Sequence, residues 1–136
     1  MRRKQWALAY LTKAQKLMPQ VAGVRLNIGL AYYRQNEFGK AIAPLESVVR
    51  DQPVATQPRY LLGLCYFFTG QWAKATETLE PLWEQLSGQL PYLYALSNAA
   101  HRSGQKELDE RALEQLLKLG DNSPEYHLFV GKYHLD

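Results

Sequence analysis

The sequence predicts an all-α protein, an α-solenoid of antiparallel helix pairs, and three observations lead there. Particular residue types recur at a constant step of 34 positions, the signature of a repeat architecture. Between recurring turn residues, apolar side chains follow helical i, i+3, i+4 spacing over segments of roughly 12–15 residues. β-Branched residues are too few and too scattered to build strands.

Gly29, Gly63 and Gly131 fall on one ladder of step 34, and its remaining member is Ser97. Ala7, Ala41 and Ala75 share the step, as do Leu11, Leu45 and Leu79, Tyr32 and Tyr66, and Pro19 and Pro53. Gly70 and Gly104 are likewise one step apart, with Asn36 at the preceding equivalent position. The elements follow in order. Segment 3–17 reads as the second helix of an incomplete pair, stopped at Met18-Pro19-Gln20. A pair at 22–35 and 38–51 encloses the turn Gln35-Asn36-Glu37. The next pair, 56–69 and 72–86, encloses Thr69-Gly70-Gln71, and a third, 90–103 and 106–119, encloses Ser103-Gly104-Gln105. Gln52-Pro53-Val54, Ser87-Gly88-Gln89 and the stretch from Gly120 to Pro124 separate the pairs. The repeats therefore run 22–55, 56–89 and 90–123, with 124–136 as the first helix of a further one and 1–136 expected to form a single solenoid.

Glycine inside a helix costs about 1 kcal/mol relative to alanine, so its recurrence calls for a compensating contact. Without a side chain, each glycine lets the second helix of its pair approach closely. Ala41 and Ala75 supply the matching small surface, and Tyr32, Tyr66, Leu45 and Leu79 fill the space around it. The third pair departs from this pattern, because Asp109 stands in the alanine column. Its second helix is expected to start late and use Ala112 instead.

These columns resemble the tetratricopeptide repeat, with its pattern W-x2-L-G-x2-Y followed by A-x3-F and a proline. The first halves read Arg25-x2-Ile28-Gly29-x2-Tyr32 and Arg59-x2-Leu62-Gly63-x2-Tyr66. Later copies read Leu93-x2-Leu96-Ser97-x2-Ala100 and His127-x2-Val130-Gly131-x2-His134. The second halves read Ala41-x3-Leu45 and Ala75-x3-Leu79, preceded by Phe38 and Trp72. Arg25 and Arg59 take the place of the usual large aromatic. The resemblance covers essentially the whole chain and implies a right-handed superhelix that binds proteins or peptides on its concave face.

In such arrays the first helices line that face. Counting helical turns from the packing glycine puts Leu26, Leu30, Tyr33 and Arg34 there in the first full repeat. The second contributes Tyr60, Leu64, Phe67 and Phe68, and the third Tyr94, Asn98, His101 and Arg102. Leu128 and Lys132 come from the fragmentary fourth. Members that grip chaperone C-termini use a Lys, Asn and Arg clamp for two carboxylates. Leu26, Tyr60 or Tyr94 stands at the lysine position, and Leu30 or Leu64 at the asparagine position, with only Asn98 retained. The resemblance thus argues against a carboxylate clamp. An apolar and aromatic stretch replaces it, with Phe68 expected to be the member most covered by the array itself, and Arg34, His101 and Arg102 on the rim suit an acidic ligand.

Bulk properties narrow the function classes. The chain has 136 residues, 46% hydrophobic and 21% charged, and a net charge of +3. Residues 1–18 carry five bases and no acid, whereas the remainder has 11 bases against 13 acids, so the excess sits on one segment and not along a nucleic-acid-binding stripe. No apolar run approaches the roughly 20 residues of a membrane span. A single cysteine, Cys65, excludes an internal disulfide and fits a reducing, cytoplasmic location. It shares a column with Ala31 and Ala99, which reads as a small buried position. His127 and His134 occupy packing columns without a third metal ligand, and Asp109, Glu110 and Glu114 read as a solvated helix face. No nucleophile and base can be paired by spacing, and no glycine-rich phosphate loop is present, so neither catalysis nor a cofactor is expected. The apolar last segment, Tyr126 to Tyr133, points to a piece of a longer array or to terminal helices that self-associate. A spacer or self-association role in a larger protein is therefore the alternative to a peptide-binding groove.

Overall fold

A computed structural model describes residues 8–10 and 22–120. The described residues contain no strand; residues 8–10, inside the expected 3–17 segment, are helical, and seven helices follow. These are α1 (Ala22–Arg34), α2 (Phe38–Asp51), α3 (Thr56–Phe68), α4 (Trp72–Leu79), α5 (Trp83–Leu86), α6 (Leu90–Arg102) and α7 (Lys106–Gly120). The rest of 3–17 and all of 124–136, with Gly131, His127, Leu128, Lys132 and His134, lie outside the described residues.

Helices begin at 22, 38, 56, 72, 90 and 106, as the 34-residue step requires. Their ends are set by backbone chemistry that repeats three times. Asn36, Gly70 and Gly104 adopt left-handed φ values of 62°, 77° and 76°. In each turn the next amide reaches back to the helix: Glu37 N to Tyr32 O (2.9 Å), Gln71 N to Tyr66 O (2.8 Å) and Gln105 N to Ala100 O (2.8 Å). A second bond, from Asn36 N to Tyr33 O, Gly70 N to Phe67 O and Gly104 N to His101 O, completes a Schellman motif. The turn residue column is thus a column of helix stops.

One expected helix is broken. Segment 72–86 runs as α4, a 3-10 turn at Glu80–Leu82 and α5. Pro81 lacks an amide hydrogen and its ring crowds the preceding turn, so the α-helical ladder lapses there. Pro58 and Pro91 sit in the first turns of α3 and α6, where no amide hydrogen is needed.

The chain divides into two compact units, 1–71 and 72–136. In the first, α1 packs on α2 and α2 on α3. Gly29 sits at the α1–α2 contact, where a Cβ would lie 2.7 Å from Leu45 Cγ and 2.8 Å from its Cδ2. Leu45 and Ala41 are fully buried. The close approach inferred from the glycine column is therefore real in this pair. Arg25, in the tryptophan column, is 8% exposed and bonds Ser47 and Asp51 of α2. Its counterpart Arg59 donates from Nε to the Pro53 carbonyl at 3.1 Å. Among the described residues Arg25 Nε has no partner, and the position one step before Pro53 is Pro19, outside them.

In the second unit α4 and α7 both pack on α6. Tyr92 is fully buried, donates to the Leu79 carbonyl at 2.6 Å and meets Trp83 edge-on at 6.5 Å. Here the glycine and alanine columns hold Ser97 and Asp109, and the two have exchanged steric for polar complementarity: Ser97 Oγ donates to Asp109 Oδ1 at 2.7 Å. Asp109 is therefore not a solvated residue, as its charge suggested; its side chain is 20% exposed and it also meets His101 Nδ1 at 3.2 Å. Nor does the second helix start late. It begins at Lys106 in the common register, and Ala112 is buried as well.

Candidate functional site

The candidate surface is built from the first-helix faces and is best described within each unit. In the first unit, four aromatic rings run from the end of α1 through the start of α2 to the end of α3. Tyr33 meets Phe38 edge-on at 5.3 Å, Phe38 stacks on Phe68 at 4.5 Å with 26° between planes, and Phe67 meets Phe68 at 5.4 Å. Phe68 is 45% exposed, whereas Leu64 and Phe67 are each at 8%. The order expected from the sequence, with Phe68 the most covered, is thus reversed. Leu64 and Phe67 are committed to packing and leave little surface for a partner. Leu26, Leu30, Tyr33 and Tyr60 are partly exposed and Arg34 is exposed.

The rings of this face carry no charge, and Arg34 is an exposed cation at its edge. Burial, reinforced by Tyr33, pushes the Tyr60 hydroxyl up to about 12. Burial and then Cys65 raise Tyr33. Burial alone pushes the Cys65 thiol up to about 12, so it stays protonated in the core beside them. A buried protonated thiol is a packing group, not a nucleophile.

In the second unit α6 carries a polar chain at i, i+4, i+8 spacing. Asn98 Nδ2 donates to the Tyr94 hydroxyl at 3.1 Å, and Arg102 Nε donates to Asn98 Oδ1 at 2.7 Å. The Arg102 guanidinium lies 4.9 Å from the Trp72 ring centroid. Tyr94 is only 4% exposed, Asn98 is partly exposed, and His101 and Arg102 are exposed. Two residues outside the expected set belong here, Phe38 and Trp72. The sequence showed Phe38 and Trp72 as one column, and the structure shows what the column does: Phe38 to Phe68 and Trp72 to Arg102 are both offsets of 30, one period apart, so one contact recurs with a phenyl ring exchanged for a guanidinium. Among the described residues no group of His, Cys, Asp and Glu could hold a metal ion. No helix among them is long and apolar enough to cross a membrane.

Two overlapping stretches, residues 3–55 and 26–80, match the tetratricopeptide repeat family model and together span more than half of the chain. The chain belongs to the tetratricopeptide repeat family. It is thereby a member of a class of protein-interaction modules. Solved structures carry the same fold. A MamA RS-1 double mutant superposes with a TM-score of 0.80 at 18% identity, over 96% of this chain and 77% of that one. MamA from Desulfovibrio magneticus RS-1 gives 0.72 at 24% identity, over 88% and 66%. YrrB, described as a tetratricopeptide repeat protein with an unusual peptide-binding site, gives 0.76 at 22% identity, over 98% and 68%. No curated protein matches the chain. Measured against the family's carboxylate clamp, the one retained asparagine, Asn98, is already engaged by Tyr94 and Arg102.

Proposed function

We propose that this tetratricopeptide repeat chain binds peptide or protein segments through its first-helix faces, with apolar anchors taken by the face of the first unit and acidic side chains by that of the second. The observation that carries the reading is the run Tyr33–Phe38–Phe68–Phe67, which presents a half-exposed phenyl ring to solvent. Exposed aromatic surface of this kind is favourable to cover, at about 25 cal/mol per Å². In the second unit, Arg102 and His101, exposed on α6, suit an acidic side chain. The tetratricopeptide class and the printed description of YrrB as peptide-binding support the same reading. Cytoplasmic residence belongs to the proposal too, on a sequence whose single cysteine, Cys65, can form no internal disulfide.

The test is selection from a displayed random-peptide library followed by titration calorimetry of the selected peptide. Phe68→Glu should weaken binding by about tenfold or more while helicity is retained. Arg102→Glu should selectively weaken peptides that carry acidic residues. Leu64, almost fully buried, is not a useful probe, because a charge there would act on folding. Affinity indifferent to both substitutions would place the site elsewhere. The alternative, a spacer or self-association segment, draws on the apolar exposure of Leu117 and Leu119 on α7.

A further inference from the structure

Phe68 is the last residue of α3, and the backbone beneath it is pinned. Thr69 Oγ1 shares its proton between the Cys65 carbonyl at 2.8 Å and the Tyr66 carbonyl at 3.2 Å, and accepts from Gln71 Nε2 at 3.0 Å. Two rings then restrain the side chain. Phe38 stacks on one face at 4.5 Å, and Phe67 meets it at 5.4 Å with 64° between planes. Despite both contacts Phe68 stays 45% exposed. An exposed side chain ordinarily samples several rotamers and loses that freedom when a partner covers it.

The same device recurs one step on in the second unit. Arg102 is the last residue of α6, and Ser103 Oγ bonds the Ala99 and Ala100 carbonyls at 2.8 and 3.3 Å while accepting from Gln105 Nε2 at 3.1 Å. Trp72 stands where Phe38 does, 4.9 Å from the guanidinium, and Asn98 supplies the second restraint by accepting from Arg102 Nε at 2.7 Å. The side chain at the helix end changes from phenyl to guanidinium, while the platform under it stays an aromatic ring. Phe38 is itself partly exposed, unlike Ala41 and Leu45 of the same helix, so filling the core does not account for its place. We infer that Phe38 is a positioning residue for ligand recognition, holding the Phe68 ring in one orientation before the ligand arrives. The ordering cost then falls on folding and not on binding. Trp72 has the same role beneath Arg102. Phe38 acts through Phe68, and the inference therefore rests on the reading that Phe68 meets the ligand.

The probe is the peptide selected on the intact chain, titrated calorimetrically against Phe38→Ala, Phe68→Ala and the double variant. Phe68→Ala should weaken binding by about tenfold. Phe38→Ala should weaken it by about two- to tenfold while Phe68 is present, and by less than about twofold once Phe68 is alanine. Phe38→Trp, which installs the ring found one step on, should keep affinity within about twofold of the parent. Phe38→Leu keeps apolar bulk without a flat ring and serves where alanine loosens the first unit; it should lose affinity in the same Phe68-dependent way. Equal losses from Phe38→Ala with and without Phe68 would overturn the inference, because a ring that touches the ligand, or merely stabilises the fold, needs no Phe68. So would affinity unchanged in both Phe38→Ala and Phe38→Leu while Phe68→Ala weakens it. Affinity unmoved by Phe68→Ala would instead defeat the peptide-binding reading at this face, and the inference with it.

Discussion

Gly29→Ala is the sharpest test of how these helices pair. The added Cβ would sit 2.7 Å from Leu45 Cγ, whereas apolar carbons rest at about 3.5–4.0 Å, so roughly 1 Å must be found. Leu45 is fully buried and Cγ lies near the root of its side chain, so a simple rotation cannot move it clear. Two effects oppose one another. Alanine improves helix propensity by about 1 kcal/mol, and overpacking a close contact costs about 1–3 kcal/mol. The net change is therefore a destabilisation of about 0–2 kcal/mol, too narrow a margin to decide the matter alone. A double-mutant cycle with Leu45→Ala removes the propensity gain from the comparison, because it is common to both backgrounds. Leu45→Ala alone should cost about 2–5 kcal/mol. Once Leu45 is trimmed, Gly29→Ala should become stabilising, giving a coupling of at least about 1 kcal/mol in urea unfolding. Additivity of the two substitutions, with Gly29→Ala stabilising in both backgrounds, would refute the close-approach argument.

The other expectations follow from separate features. Ser97→Ala should destabilise by about 1–2 kcal/mol, because the Asp109 carboxylate loses a donor, and the pair Ser97→Gly with Asp109→Ala should recover part of that loss in thermal melts. Gly104→Ala should cost about 1–2 kcal/mol in the left-handed turn, while Asn36→Gly should be nearly neutral by the same measurement. Alkaline pH should destabilise the fold: the unfolded Cys65 thiol ionises near 8.5, the folded one only near 12, so between them the folded state binds the extra proton and stability falls as pH rises. Tyr60, also raised to about 12, adds to the fall above about 10. Urea midpoints at pH 8 and 10.5 should therefore separate, and Cys65→Ala, which restores the residue found at 31 and 99, should narrow the gap.

Helix starts, helix stops and the glycine contact were determined by local chemistry, and local chemistry is written in the sequence. A left-handed turn residue ends a helix wherever it falls, so Asn36, Gly70 and Gly104 were readable without coordinates. A missing side chain at Gly29 announced a crowded neighbour, although not which atom of Leu45 would be met. Pro81 was visible too, but whether it kinks or breaks a helix depends on the packing around it, as uninterrupted α2 with its internal Pro44 makes plain. Tertiary structure alone decided the pairwise substitutions: Asp109 became intelligible only opposite Ser97, and Phe38 and Trp72 joined the candidate surface only through Phe68 and Arg102. It alone decided which ring stays open as well, leaving Phe68 half exposed while Leu64, Phe67 and Tyr94 went into the core. Periodicity specifies the direction in which a side chain leaves its own helix; how much of it water still reaches depends on atoms contributed from elsewhere in the chain.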